Sequence, residues 1–232
     1  MSWGQRDFMV PGRSLAVGDR GMAATSHPAV TLAAVEILRS GGNAVDAAIA
    51  AIALQGVIDP HMTGIGGDCF AIYAPASGKP VAVNGSGRAP AKAELGWFRQ
   101  RGLASIPDDS PHAVTVPGAV DAWCRLAGDY GSKGLDEVLA PAIRAAETGF
   151  VVTPRAALDW ARYADRIERH QTGAPVYLPR WRRARRRQQA QSSRTRRDAA
   201  PDCARGTRRV LRRCRRRRNR RDIEGAGRSD AA

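Results

Sequence analysis

The composition of this chain breaks at about residue 180, and the break decides how much of the chain can fold. Residues 1–179 hold 16 Lys+Arg and 17 Asp+Glu, whereas residues 180–232 hold 21 Arg, no Lys and 5 Asp+Glu. The whole-chain charge of +15 is therefore −1 from the first stretch plus +16 from the second. Residues 180–232 carry too few apolar side chains to offset the entropy of ordering, so a disordered tail is expected there. A run such as Arg212-Arg213-Cys214-Arg215-Arg216-Arg217-Arg218 would also repel itself as a helix. The chain is accordingly read as an N-terminal extension (1–20), a folding region (21–179) and an Arg-rich tail (180–232).

The tail has two readings. Dense Arg can neutralise phosphates and bind nucleic acid with a steep salt dependence, or rest on an anionic lipid surface. The absence of Lys argues otherwise, because basic segments selected for charge normally use both cations. Arg, Ala, Gly and Ser in this proportion are what GC-rich DNA yields when translated out of frame.

The first 179 residues suffice for one domain with a real core. Residues 1–20 contain no apolar signal-peptide region, and no run is long enough to span a bilayer. The cysteines, at 69, 124, 203 and 214, lack metal-ligand spacing, so reduced thiols and a cytoplasmic location are expected.

The pattern along the chain is mixed α and β. Gly21–Thr25 is a strand candidate. Val30, Ala33, Ala34, Ile37 and Leu38 recur at helical spacing, with Ser26 available as cap, Pro28 in the first turn and Gly41-Gly42 as the stop. Asn43 then caps a second helix, Ala44 to Gln55, whose apolar residues occupy nearly every face and predict burial. Residues 69–84 read as a β-hairpin. Helices follow around 94–101, 118–130, 135–148 and 154–169, with breaks marked by Pro107, Pro111, Pro117 and Pro141.

Four positions stand out as candidate site residues. The turn Gly64-Ile65-Gly66-Gly67-Asp68 can cradle an anion through its backbone N–H groups, or can simply be a tight turn. It lacks a following Lys-Ser/Thr and precedes a strand, so it is neither a P-loop nor a dinucleotide fingerprint. Asp68 is a site carboxylate or a cap of that turn. Arg88, set between Gly87 and Pro90 at the end of an apolar strand, sits on a rigid bend. There it can pair bidentately with a substrate carboxylate, or form an internal salt bridge. His27, His61 and His112 lack metal spacing and read as turn or packing residues. Ser26-His27 is not a nucleophile–base pair, since adjacent residues of a strand face opposite ways. Asp108-Asp109 reads as a solvated turn. No cofactor or metal signal is present.

A set of motifs in order carries a resemblance that spacing alone does not supply. They are Ala24-Thr25-Ser26-His27-Pro28, Gly41-Gly42-Asn43-Ala44-Val45-Asp46-Ala47-Ala48, Gly64-Ile65-Gly66-Gly67-Asp68-Cys69-Phe70, Arg88-Ala89-Pro90, Thr115-Val116-Pro117-Gly118 and Glu147-Thr148-Gly149-Phe150. Together they resemble the gamma-glutamyltransferase (glutathione hydrolase) family over roughly residues 12–179. The resemblance implies part of an N-terminal-nucleophile hydrolase fold, an αββα sandwich. It also implies a proenzyme that cuts itself into large and small subunits and uses the small subunit's N-terminal Thr as nucleophile on a γ-glutamyl amide. Arg88 matches the family's Arg that pairs with the substrate α-carboxylate, and Gly66, Gly67 and Asp68 would help to shape the site. No catalytic residue is assigned within the chain, because the implied Thr would lie beyond residue 232, and the chain alone is expected to be inactive. Its partners would be the missing small subunit and a carboxylate-bearing amide. Ala89 directly after Arg88, and Asp68-Cys69 where many members have two small residues, resemble the family's amidohydrolase and acylase branches, so the implied substrate is glutathione-like or, as in those branches, oxamate-like. The resemblance is expected to stop at Pro179, where the Arg-rich tail begins.

Overall fold

The run that is apolar on nearly every face becomes the hub of the fold. In the computed structural model, which describes residues 15–108 and 110–169, it forms helix α2 (Ala44–Ile58). Helix α1 (Pro28–Arg39) packs along one side of it and α5 (Leu135–Thr148) along another, with α4 (Ala119–Tyr130) completing the cluster. Ala47, Ala50, Ala51 and Ala53 let these backbones approach closely, and Ile49 and Ile58 are 2% and 1% exposed. Burial on all sides is what a helix without a polar face requires.

The strands β1 (Phe70–Tyr73) and β2 (Val81–Asn84) form the expected hairpin, paired antiparallel from Phe70↔Asn84 to Tyr73↔Val81. Ala71, Tyr73 and Val83 turn toward the helices, while Phe70 and Ile72 point outward. The short helices α3 (Leu95–Gln100), α6 (Pro154–Arg162) and α7 (Ala164–Glu168), and a 3₁₀ turn at Pro111–Ala113, complete the described elements. The α+β reading holds, with one two-stranded sheet among the described residues.

Buried charge ties the elements together. The Asp46 side chain, wholly buried, accepts from the Asn43 N–H at 2.9 Å and so closes a capping box with Asn43 at the start of α2. The same carboxylate accepts from the Ser132 hydroxyl at 2.6 Å and from the Ser132 and Lys133 N–H groups at 3.1 and 3.3 Å, which fastens the α4–α5 connection to α2. Burial pushes its pKa up, but the Ser132 hydroxyl and the three backbone donors outweigh it and hold the group below the ordinary carboxylate range.

Several local expectations are corrected. Residues 21–25 are not a strand, because no described neighbour pairs with them. His27, not Ser26, caps α1: Pro28 fixes the first helical residue, and His27 Nδ1 accepts from the Ala29 N–H at 3.2 Å. Pro141 does not break a helix but lies inside α5. The penalty of an interior proline, about 3 kcal/mol, is offset by burial of Val138, Leu139, Ala142 and Ala146 beside it. The helix expected over 154–169 is interrupted at Tyr163. Cys69 is a free thiol, but Cys124 is disulfide-bonded, contrary to the expected pair of reduced cysteines. The boundary at residue 180, and the tail's nucleic-acid or lipid reading, lie outside the described residues.

Candidate functional site

Three chain segments meet where the sequence places its candidates: the glycine turn at 64–68, the bend after β2, and the approach to α4. Hydrogen bonds between Cys69 and Gly85, at 3.1 and 2.7 Å, extend the hairpin by one pair. The Gly67 carbonyl accepts from both Gly118 N–H and Ala119 N–H at 3.1 Å. Helix α4 has a glycine N-cap and no capping side chain, so the turn's carbonyl satisfies donors that a Ser or Asp would otherwise take. On the far side of the bend, the Arg88 carbonyl accepts from Val116 N–H at 2.9 Å, and the Thr115 hydroxyl donates to the Ser86 carbonyl at 3.0 Å. Arg88, Gly67 and Asp68 are thus brought to one junction by main-chain bonds.

Glycine is demanded at this junction, but not where the motif suggested. A Cβ on Gly87, whose φ is +79°, would fall 1.9 Å from the Val116 carbonyl oxygen, and one on Gly118 would fall 2.4 Å from the Gly85 oxygen. Gly66 and Gly67 have open space around them. Packing therefore explains Gly87 and Gly118 and leaves Gly66 and Gly67 without a steric reason in the described structure.

Arg88 is exposed, its backbone is pinned, and its guanidinium has no ion pair among the described residues. The internal salt bridge that was the alternative reading is not formed there. Asp68 is exposed at the lining of a cavity of about 470 Å³, whose walls are chiefly apolar: Ala48, Ile49 and Ile52 from α2, Tyr73 from β1 and Trp123 from α4. Among the described residues the junction offers a cation and a carboxylate without an ion pair, beside an apolar hollow.

The remaining candidates fall elsewhere. Ser26 Oγ receives the Gln55 side-chain N–H at 2.6 Å and donates to Asp59 at 3.4 Å, while the His27 ring caps α1. The two are not a nucleophile and its base. His27 is buried, and desolvation lowers its pKa against the pull of Asp59. His112 stacks edge-on against Trp97 and Phe98. Asp109 lies outside the described residues. Among those residues no cluster of three or more His, Cys, Asp or Glu is arranged for a metal ion, and no helix is long and apolar enough to cross a membrane. Sequence reasoning missed two polar clusters. One is the Asp46 anchor, which the capping-box spacing Asn43-x-x-Asp46 could have revealed. The other joins Asp59 and His61 to Asp159 across about a hundred residues, a separation that carries no local signal.

Comparison with known proteins agrees with the motifs. The family described as Gamma-glutamyltranspeptidase matches residues 30–197, beyond the expected limit at 179. The acylase ACY 1 proenzyme of Pseudomonas sp. (strain V22) is 39% identical over 148 residues, 60% of this chain and 26% of that protein. The oxamate amidohydrolase proenzyme of Klebsiella pneumoniae is 38% identical over 163 residues, 68% of this chain and 30% of that protein. The gamma-glutamyltranspeptidase of Helicobacter pylori superposes with a TM-score of 0.65 and 30% identity over 71% of this chain and 48% of that one. The chain thus spans between a quarter and a third of the length of the curated relatives it matches.

Proposed function

The chain belongs to the gamma-glutamyltranspeptidase family, and from that premise we propose that it supplies the carboxylate-anchoring part of an amide-cleaving site. The carrying observation is Arg88: an exposed guanidinium without an ion pair among the described residues, on a bend held by the Val116–Arg88 bond and by a glycine that no other residue can replace without a clash. A fixed Arg of this kind pairs bidentately with a carboxylate, which both binds and orients the substrate. Asp68 and the turn at Gly66-Gly67 form the neighbouring wall.

The substrate is a small amide bearing a carboxylate, of the oxamate or acylase kind in preference to glutathione. Two things support that choice: relatives at 39% and 38% identity are an acylase and an oxamate amidohydrolase, and Asp68 stands in the turn where many members of the family have a small residue. The Thr nucleophile and small subunit that the family resemblance implies complete the reaction, in a cytoplasmic setting. Assaying the chain with a γ-glutamyl anilide, with oxamate and with a short acyl amide is expected to give no turnover above an Arg88→Ala control. Titration of the same chain with oxamate is expected to show saturable binding that Arg88→Ala removes and Arg88→Lys weakens. Equal binding by the wild type and Arg88→Ala would end the proposal.

A further inference from the structure

The hairpin leaves the edge of β1 unused, and that edge runs along the apolar hollow. Cys69 and Gly85 exchange two main-chain hydrogen bonds, at 3.1 and 2.7 Å. Antiparallel pairs alternate between bonded and non-bonded, so in this register Ala71↔Val83 and Tyr73↔Val81 are the bonded pairs. The N–H and C=O groups of Phe70 and Ile72 therefore point away from β2. The sheet has two strands among the described residues, so no strand there receives them. Every residue from Phe70 to Ala74 lines the hollow, as a strand edge does and a single strand face does not. Ala44, Ala48 and Ile52, spaced one turn apart on α2, line it from the opposite side.

Natural edge strands are protected by charge, Pro or a bulge that deters pairing. Phe70-Ala71-Ile72-Tyr73-Ala74 has no charge and no Pro, and Phe70 and Ile72 are 64% and 80% exposed. The edge of β2 differs, because Asp121, Arg125 and Asp129 of α4 stand beside it. The β1 edge is also complementary to itself. Turned about a two-fold axis beside Ala71, a second β1 sets its Ile72 opposite Phe70 and its Phe70 opposite Ile72. In each of these pairs the outward N–H and C=O groups face one another, as a bonded antiparallel pair requires. Charge agrees with the same register. Asp68 precedes β1 and Lys79 lies in the turn after it, so each copy's Asp68 falls at the end where the other carries Lys79. Both are exposed, and neither has an ion pair among the described residues.

We propose that this edge is an interface between two copies of the chain. They join β1 to β1 in antiparallel register about Ala71, giving one continuous sheet in the order β2-β1-β1-β2. The contact is isologous, so it closes at two copies. Phe70 and Ile72 pack across the seam on the outer face. On the inner face the small side chains of Ala44 and Ala48 leave room for the second copy over the hollow. A strand this short, ended by Pro75, covers less than the ~1,200 Å² of a stable complex. The dimer is therefore transient, with a Kd on the order of 10–100 µM, and dilute chains keep the face open. The proposal is independent of the role of Arg88.

Analytical sedimentation of the whole chain from about 1 µM to about 500 µM tests it, with a monomer–dimer equilibrium expected. Amide exchange read residue by residue supplies the signature. Phe70 and Ile72 gain protection as concentration rises, whereas Ala71 and Tyr73, bonded to β2, hold theirs. Ile72→Lys is expected to weaken association about tenfold, since it removes both cross-seam pairs, and to leave helical circular dichroism unchanged. Lys79→Glu is expected to weaken it about threefold, an effect that added salt erases. A monomer at every concentration overturns the proposal, and so does a dimer that Ile72→Lys leaves intact. Protection of Phe70 and Ile72 that ignores concentration would show the edge covered from within one chain, and overturns it as well. If Ile72→Lys does not fold, Ile72→Thr, β-branched but polar, takes its place, and undiminished association of that variant has the same force.

Discussion

Helix α2 and the hairpin β1–β2 are built from similarly apolar sequence, yet they end in opposite environments. Ile49 and Ile58 of α2 are 2% and 1% exposed, whereas Phe70 and Ile72 of β1 are 64% and 80% exposed. The helix finds cover on every side from α1, α4 and α5; the hairpin finds it on one face. Arg88 and Asp68, the candidate site residues, lie at the exposed end of that half-covered hairpin. The helical cluster is thus covered on all sides among the described residues, whereas the outer face of the hairpin is not.

The largest expected effect falls on the helical side. Asp46→Ala removes a buried carboxylate and strands the N–H groups of Asn43, Ser132 and Lys133. Urea unfolding is expected to show a loss of about 4 kcal/mol, the scale for breaking a buried charge cluster. Because the folded-state pKa of Asp46 is depressed, its contribution is present above the ordinary carboxylate range and is lost as pH falls through the folded value. Wild-type stability is therefore expected to drop in acid, and Asp46→Asn to flatten that drop. A variant as stable as the wild type would mean that α2 and the α4–α5 connection are not coupled here.

Next in size is the contrast itself. Ile49→Ala is expected to cost about 3 kcal/mol by cavity formation. Ile72→Ala, the same change on the outer face of the hairpin, is expected to cost less than about 0.5 kcal/mol. Equal losses would show that the hairpin face is covered in solution.

What was legible in the sequence divides along the same line. α1, α2, α4 and α5 were readable because each repeats apolar residues at helical spacing between strong stops, such as Gly41-Gly42 and Asn43. The hairpin was readable from its alternation and its turn. His27 displaced Ser26 as cap because the hydroxyl was drawn to Gln55 and Asp59, partners 29 and 33 residues away. Pro141 survived in α5 because packing outweighed propensity, which no local rule foresees. Arg88 was legible as a candidate from its rigid surroundings, but that it has no ion pair among the described residues could be seen only once the neighbouring segments were in place. The glycine turn was legible as a motif and misleading in detail, since the steric need lies at Gly87 and Gly118.

That last point gives a smaller but sharper test. Gly87→Ala forces a positive φ and a clash with Val116, and is expected to cost about 1–2 kcal/mol. Gly66→Ala meets open space and is expected to change stability by less than about 0.5 kcal/mol. If Gly66→Ala is neutral for folding yet lowers oxamate binding, the turn's glycines serve the ligand. If it is neutral for both, Gly66 leaves the candidate site.

The smallest expected change in stability belongs to the residue with the largest proposed role. Arg88→Ala removes an exposed side chain that is unpaired among the described residues, so thermal unfolding is expected to match the wild type within about 0.5 kcal/mol. A structural Arg, held in a salt bridge that keeps the bend in shape, would instead lower stability and loosen residues 84–90 together. The two roles separate in one pair of measurements. Unchanged unfolding with lost carboxylate binding identifies an anchor held ready by its backbone, the Val116 N–H and Gly87 having fixed the bend without help from the side chain. Lower stability with binding retained would place Arg88 in the scaffold and leave Asp68 and its apolar hollow to define the site.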